Sequence, residues 1–423
     1  MPPPCERTAL KEPTILDQWI DEHREEQIDF TRRLVATPSP NLPGDERAVA
    51  EVVVSELKRL GLTDIEVAAQ KPHRPNVICR HRGRGGGPTL MLCGHSDTKP
   101  IGDASRWQTD PLDPIIRDGK MYGLGTTDMK GAVAAMIYAT AAIKQCNVEL
   151  DGDVLLVVNA DEERSMAAGS KYLAEEYGIE ATVCLLCEPC AISGPEFEFL
   201  HLLSRGICCF HIRVRGTQMH SSLSDRLPSV NASVKMAQVL TAMQERLQLT
   251  FEPHPLCAAP TVNLAVKVEA GVGFGVYPGT AEFQCDIRTL PGMTQKQIEA
   301  DVQKLLEQLR NADPDLDVEF EFEQSSLQWI RPTEVPADHP FVEVLLDAAQ
   351  SVLGRRPKLT AFPGGTDANN FQGVAGIPTI PSFGPGWLTL AHGPNECVGV
   401  ESLIQAAKIY ALAARNYLGG TNA

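Results

Sequence analysis

Two adjacent glutamates, Glu162 and Glu163, close the run Leu155-Leu156-Val157-Val158-Asn159-Ala160-Asp161-Glu162-Glu163. The apolar half reads as a buried strand, and the charges begin where that strand should end. Neighbouring carboxylates at such an edge repel one another unless a cation lies between them. His95, Asp128, Glu188 and His392 are also of metal-ligand type, and each falls at or just past an expected strand end or in a nearby loop. Two imidazoles among carboxylates favour zinc, with manganese or cobalt as alternatives, over magnesium or calcium. In His95-Ser96-Asp97, an extended backbone puts residues 95 and 97 on one face, so Asp97 can accept the imidazole proton and fix its tautomer. Ordinary explanations compete. Asp128 could cap the helix that comes after it, and the glutamate pair could be first-turn charges of a helix over 167–177.

The elements that must position these residues alternate. Helices are expected over 15–34 and 45–60, the second stopped by Gly61. Strands come next over 65–68, 77–80 and 89–93, with a turn at Gly83–Pro88 before the last. A proline-containing loop leads to Gly123-Leu124-Gly125-Thr126-Thr127-Asp128 and an alanine-rich helix from about Lys130. Strand 153–158, helix 167–177 and strand 182–187 complete this half. Ligands of open α/β sheets collect at the carboxyl ends of the strands, where these acids fall. After about residue 200 the order becomes strand 207–214, helix 230–247, strands 261–269 and 280–288, helix 294–310 and strand 316–322. That is a β-α-β-β-α-β, ferredoxin-like unit. Helices near 339–353 and 400–417 resume the first pattern. The expected fold class is α/β: a mixed-sheet catalytic domain (1–200 and 323–423) interrupted by an inserted domain (201–322). A small sheet with one open edge predicts pairing with a twin, and so a homodimer through the insert.

His95-Ser96-Asp97, Gly125-Thr126-Thr127-Asp128-Met129-Lys130-Gly131, Asp161-Glu162-Glu163, Glu188-Pro189 and His392, in that order, resemble the motifs of the M20 family of co-catalytic metallohydrolases. Its members include acetylornithine deacetylase, succinyl-diaminopimelate desuccinylase, carboxypeptidase G and aminoacylase. The resemblance spans nearly the whole chain, and it makes the insert a lid and dimerisation domain. It implies two divalent metal ions, one bound by His95 and Glu188 and the other by Glu163 and His392, with Asp128 bridging them. It further implies a cis peptide after Asp128, an orienting role for Asp97, and Glu162 as the general base. In the insert, Arg215-Gly216-Thr217-Gln218-Met219-His220-Ser221-Ser222 resembles the segment whose histidine, here His220, stabilises the oxyanion. The strand containing Asp286-Ile287-Arg288 resembles one whose arginine, here Arg288, holds a substrate carboxylate. Gly364-Gly365-Thr366-Asp367 resembles the glycine-rich loop beside that carboxylate, making Gly364 and Gly365 substrate-binding candidates. Gly275 stands where many relatives carry an asparagine, a departure that bears on substrate rather than on metal chemistry. The implied reaction is hydrolysis of an amide C–N bond in a small N-acyl amino acid, of the deacylase or desuccinylase type. A carboxypeptidase, a dipeptidase and an amine-releasing hydrolase are the alternatives. A non-catalytic binding protein on this fold would be expected to have lost a ligand or the base.

Bulk properties agree with an ordinary globular protein. Of 423 residues, 43% are hydrophobic and 22% charged, enough for two or three domains with real cores. The net charge of -16 argues against a nucleic-acid or anionic-membrane partner, which would need a basic face. Met1–Arg7 has no apolar targeting core and no stretch is long enough to span a bilayer, so a cytoplasmic location is expected. Cys184, Cys187 and Cys190 have CxxC spacing, but on a strand their side chains point to opposite faces, and they read as small buried hydrophobes. Gly123-Leu124-Gly125 lacks the third glycine of a dinucleotide fingerprint, and no phosphate-loop lysine pattern appears.

Overall fold

A computed structural model describes residues 14–419; the Met1–Arg7 stretch lies outside them. The chain forms two compact units. One runs to Leu203 and takes in Glu334–Phe362 and the residues from Thr366 onward; the other is Ser204–Thr333 with Pro363–Gly365. The sequence placed the end of the insert at 322. Ile330 and Ile207 exchange backbone hydrogen bonds of 2.9 Å, which keeps the segment up to Thr333 with the smaller unit.

The larger unit is built on a six-stranded sheet in the order Ile65–Ala68, Asn76–His81, Asp153–Asn159, Thr89–His95, Val183–Leu186, Thr379–Ile380. Its last four strands are parallel and the first two are antiparallel additions. Parallel strands covered on both faces need apolar side chains throughout, and Val154–Val158 and Val183–Leu186 are buried residue by residue. Lys130–Gln145 packs against Val400–Tyr417, and every residue of 130–143 is buried. Alanines leave room for that close approach and cost no side-chain entropy. His95 lies opposite Asn159 in the register, so the carboxyl ends of these two strands are level and deliver their next residues to the same edge.

Three local expectations need correction. The helix over 15–34 breaks at His23 into Ile15–Glu22 and Arg24–Val35. There the His23 ring stacks on Trp19, and its Nδ1 joins the backbone N–H at the Trp19 carbonyl. The helix over 167–177 is instead two wide π-helical turns, with Gly169 off the helical backbone at φ -101, ψ -116. A Cβ at Gly169 would lie 1.8 Å from the Ala160 carbonyl oxygen, so this glycine lets the segment pack onto the end of strand Asp153–Asn159. The proline-containing loop holds a small hairpin, Ile115–Arg117 and Lys120–Tyr122, whose second strand pairs with Cys397–Gly399. That pairing ties the loop carrying His392 to the segment leading into Asp128.

The smaller unit has a four-stranded antiparallel sheet in the order Thr261–Ala270, Thr280–Thr289, Gly206–Arg215, Asp317–Phe322. Helices Ala232–Arg246 and Gln295–Ala312 cover one face. The chain order is β-α-β-β-α-β, with the first and third strands central, as in a ferredoxin-like fold. Among the described residues no helix is long and apolar enough to cross a membrane.

Candidate metal centre

The carboxyl edge of the larger unit's sheet gathers the acids and imidazoles that the sequence marked. His95 is the last residue of its strand, Glu162 and Glu163 come after Asp153–Asn159, and Glu188 comes after Val183–Leu186. Asp128 does not cap the helix behind it. Met129 stands at that position without a side-chain cap, and the Asp128–Met129 peptide is cis. The Asp128 carboxylate instead lies between two imidazoles, Oδ1 at 3.0 Å from His95 Nε2 and Oδ2 at 3.1 Å from His392 Nε2. Glu188 Oε1 is 3.7 Å from His95 Nε2, and Glu163 Oε2 is 2.9 Å from His392 Nε2.

These spacings test whether the donors suit metal ions. Two ligands on one tetrahedral zinc, each about 2.0–2.1 Å from it, lie roughly 3.3 Å apart. The observed contacts scatter around that figure. They fall into two sets, His95 with Asp128 Oδ1 and Glu188, and His392 with Asp128 Oδ2 and Glu163. The donors fit a pair of divalent cations sharing Asp128. Glu162 stands farther off: its carboxylate makes no hydrogen bond among the described residues, and its nearest imidazole nitrogen is His95 Nε2, 4.0 Å away. By mutual distance alone, His95 lies together with Asp128 and Glu163, and also with Glu162 and Glu188. The 4.0 Å separation leaves Glu162 the most distant member, so we keep it outside the ligand sets.

The electrostatics show a cluster with too much negative charge. Burial, reinforced by Glu188, Asp367 and Glu163 against the pull of His95, pushes Glu162 well above the usual carboxylate range. Burial and the charge of Asp128 do the same to Glu188. Burial opposes charge on the imidazoles, yet carboxylate hydrogen bonds outweigh it. His95 rises well above its ordinary value, and His392 is pushed up to about 10.

Asp97 holds the other side of the histidine. Its Oδ1 is 3.4 Å from His95 Nδ1, and its backbone carbonyl accepts from that nitrogen at 3.0 Å. Its carboxylate also accepts the backbone N–H groups of Glu162 at 3.2 Å and Glu163 at 3.1 Å. Several participants escaped the sequence reading. Lys99 ion-pairs with Glu163 at 3.2 Å and donates to the Glu163 carbonyl. Glu396, wholly buried, accepts the N–H groups of Thr127 at 2.9 Å and Asp128 at 3.0 Å through one oxygen, and burial pushes it up to about 8. Asp367 is buried behind the site, taking hydrogen bonds from Asn159 at 2.6 Å and from Ser170. The available signals were position, Lys99 and Glu396 each lying four residues from a marked histidine, and, for Asp367, the glycine-rich motif that ends in it.

The other candidates belong to the smaller unit. His220 is exposed on a two-residue ribbon, opposite Val276, and its Nδ1 lies 2.8 Å from Ser222 Oγ. Gly275, at φ +83, accepts the Ser221 N–H through its carbonyl at 3.0 Å. Arg288 pairs with Asp286 of its own strand at 2.8 Å. Gly364 accepts from Ser204 Oγ at 3.1 Å, and Gly365 closes the same short segment. The three CxxC cysteines are buried free thiols.

A sheet that gathers imidazoles and carboxylates of metal-ligand type at its carboxyl edge is the arrangement of a metal-dependent hydrolase. The profile of Peptidase family M20/M25/M40 matches residues 91–416. Acetylornithine deacetylase of Proteus mirabilis (strain HI4320) is 30% identical over 382 residues, covering 88% of this chain and 91% of that protein. The N-formyl-4-amino-5-aminomethyl-2-methylpyrimidine deformylase of Bacillus subtilis (strain 168) is 25% identical, covering 93% of this chain and 95% of that protein. In fold, the chain is similar to an M20 family metallo-carboxypeptidase from Sulfolobus solfataricus, with TM-score 0.72, 18% identity, and 93% and 99% of the two chains covered. It is likewise similar to a dinuclear metal-binding M20 peptidase of Bacillus subtilis, with TM-score 0.69, 18% identity, and 94% and 99% covered. The chain belongs to the M20/M25/M40 family, and it is a metal-dependent hydrolase acting on amide bonds.

Proposed function

We propose that this protein removes an acyl group from the nitrogen of a small amino acid or related amine, releasing a carboxylic acid and the free amine. The observation that carries this reading is the place of Glu162 beside the two donor sets: its carboxylate makes no hydrogen bond among the described residues and stands 4.0 Å from His95 Nε2, farther than any proposed ligand stands from its imidazole. His95 and Glu188 would hold one divalent cation, His392 and Glu163 a second, with Asp128 between them; zinc suits the donors first, manganese or cobalt next. When bound, such a pair supplies Lewis-acid polarisation of the scissile carbonyl and acidifies water at neutral pH.

The residues do the rest. Glu162 accepts a proton from the attacking water as its oxygen bonds to the carbonyl carbon, then delivers that proton to the nitrogen as the C–N bond breaks. Asp97 keeps His95 in the tautomer that presents Nε2 to the site. His220 as oxyanion donor, and Arg288 with Gly364 and Gly365 as carboxylate-binding groups, are assigned by family likeness. In the smaller unit, strand Thr261–Ala270 is an edge with Val262, Val266 and Val268 exposed, which supports a homodimer through that edge.

Two curated relatives are a deacetylase and a deformylase, which favours acyl removal over peptide cleavage. The test is a screen of N-acetyl, N-formyl and N-succinyl amino acids against dipeptides and carboxypeptidase substrates on zinc-reconstituted protein. Turnover confined to the peptides would replace the deacylase reading with a peptidase. No turnover of any amide by fully loaded protein would refute the function.

A further inference from the structure

A second cluster of buried charges backs the ligands. Arg74, 7% exposed, ion-pairs with Glu46 and with Asp161 at 2.6 Å, and donates to Asn41 Oδ1 at 2.9 Å. The Asn41 amide donates onward to Asp97 Oδ2 at 2.7 Å and Asp161 Oδ1 at 3.0 Å. Asp161 sits at φ 62, a left-handed conformation that a non-glycine residue adopts at a cost. Its other oxygen takes hydrogen bonds from Ser165 Oγ at 2.5 Å and the Ala168 N–H at 3.1 Å. Asp161 directly precedes the glutamate pair, and Asp97 grips that pair's backbone N–H groups.

A planar fork can bridge Glu46, Asn41 and Asp161 together; a lysine, a single flexible point charge, cannot. The loop in front is shaped around that fork. Gly44 has φ +78, and a Cβ there would lie 2.3 Å from Arg74 Cζ, so bare backbone packs on the guanidinium. Asn41 and Glu46 are anchored on either side of Gly44 by backbone hydrogen bonds to Thr98 at 2.7 Å and His73 at 3.0 Å.

We propose that Arg74 is a positioning residue: by fixing Asp161 directly and Asp97 through Asn41, it sets the backbone from which Glu162 and Glu163 face the cation site. The inference rests on the two-cation reading of that site. None of Arg74, Asn41 or Gly44 touches the ligand atoms, so their effect must pass through the turn.

The test uses full-length Arg74→Lys and Gly44→Ala, which disturb the guanidinium from opposite sides. Each is stripped with chelator, titrated with Zn²⁺ by calorimetry and melted in the metal-free state. Zn²⁺ affinity is expected to fall about 10–100-fold in both, the range for losing an outer-shell partner. In the zinc-saturated variants kcat should drop by a similar factor, with KM within about threefold of wild type. A cooperatively melting variant that binds Zn²⁺ and turns over like wild type overturns the proposal. So does a lowered melting temperature with unchanged Zn²⁺ affinity, which would make Arg74 merely structural. If Arg74→Lys does not fold, Gly44→Ala decides. Glu162→Gln run in parallel separates the two claims: full turnover there defeats the base assignment, while weakened Zn²⁺ binding in the Arg74 and Gly44 variants would still sustain the positioning role.

Discussion

Replacing Glu162 with glutamine should move activity and stability in opposite directions. The change keeps side-chain volume, in a side chain only 12% exposed, and removes a carboxylate that no hydrogen bond holds. The ligand sets around His95 and His392 should therefore keep their metal. Loss of a general base costs about 10²–10⁴ in rate, or roughly 3–5.5 kcal/mol of transition-state stabilisation. The metal-free protein should respond oppositely. Glu162 has a folded pKa raised above its ordinary 4.5, so its contribution is intact below pH 4.5 and turns against folding as pH rises. Two like charges about 4 Å apart interact by about 1–4 kcal/mol between bulk water and a protein surface, so a gain on the order of 1 kcal/mol is expected at pH 8. The assay is kcat on the best substrate of the amide screen, with metal content measured on the same sample, beside urea unfolding of chelated protein at pH 5 and pH 8. A variant with wild-type metal content and kcat within about threefold refutes the base. A chelated variant less stable than wild type at pH 8 refutes the excess negative charge.

Other parts of the molecule give three further expected outcomes. His392→Ala removes one ligand set and leaves His95, Glu188 and one oxygen of Asp128, so bound zinc, measured by elemental analysis, should fall from two toward one per chain. Unchanged stoichiometry would place the second cation elsewhere. His201 is buried with Nε2 unpartnered among the described residues, and burial depresses its pKa to about 4 from an ordinary 6.5. A depressed histidine stabilises the fold above pH 6.5 and loses that effect as pH falls, so about 3 kcal/mol should vanish by pH 4. The difference in urea midpoint between pH 7 and pH 4.5 should shrink in His201→Leu, and an equal difference would show that other groups dominate. Val268→Lys puts a charge on the exposed edge strand and should shift sedimentation from dimer to monomer; a variant that sediments as wild type removes that edge as the interface.

What the sequence disclosed and what it hid differ in physical kind. His95, Glu163 and Glu188 were legible because each sits at or past the end of an apolar strand, and a parallel sheet must present all such ends at one edge. Asp128 and His392 lie in loops, and only motif order pointed to them. Residues such as Arg74, Asn41 and Glu396 carry no periodic signal: Glu396 meets the Asp128 N–H across 268 residues of chain, and Asn41 meets Asp97 across 56. The breaks at His23 and Gly169 were hidden for a related reason. Helical periodicity reports which face is apolar, whereas these breaks come from a ring competing for a carbonyl and from a backbone oxygen 1.8 Å from where a Cβ would sit.

One device recurs behind the donors, and it bears on how the centre keeps its dimensions. Asp97 takes the N–H groups of Glu162 and Glu163, and Glu396 takes those of Thr127 and Asp128. On each side of the proposed cation site a buried carboxylate thus acts on the backbone that carries the donors, Asp97 reaching the His95 ring as well. Ligand side chains can turn about their torsions; a peptide N–H clamped from behind cannot move without its whole turn. Substitutions among the ligands should therefore change how many cations bind. Substitutions among the clamps should change the spacing between donors, and so weaken binding and turnover together while every ligand remains in place.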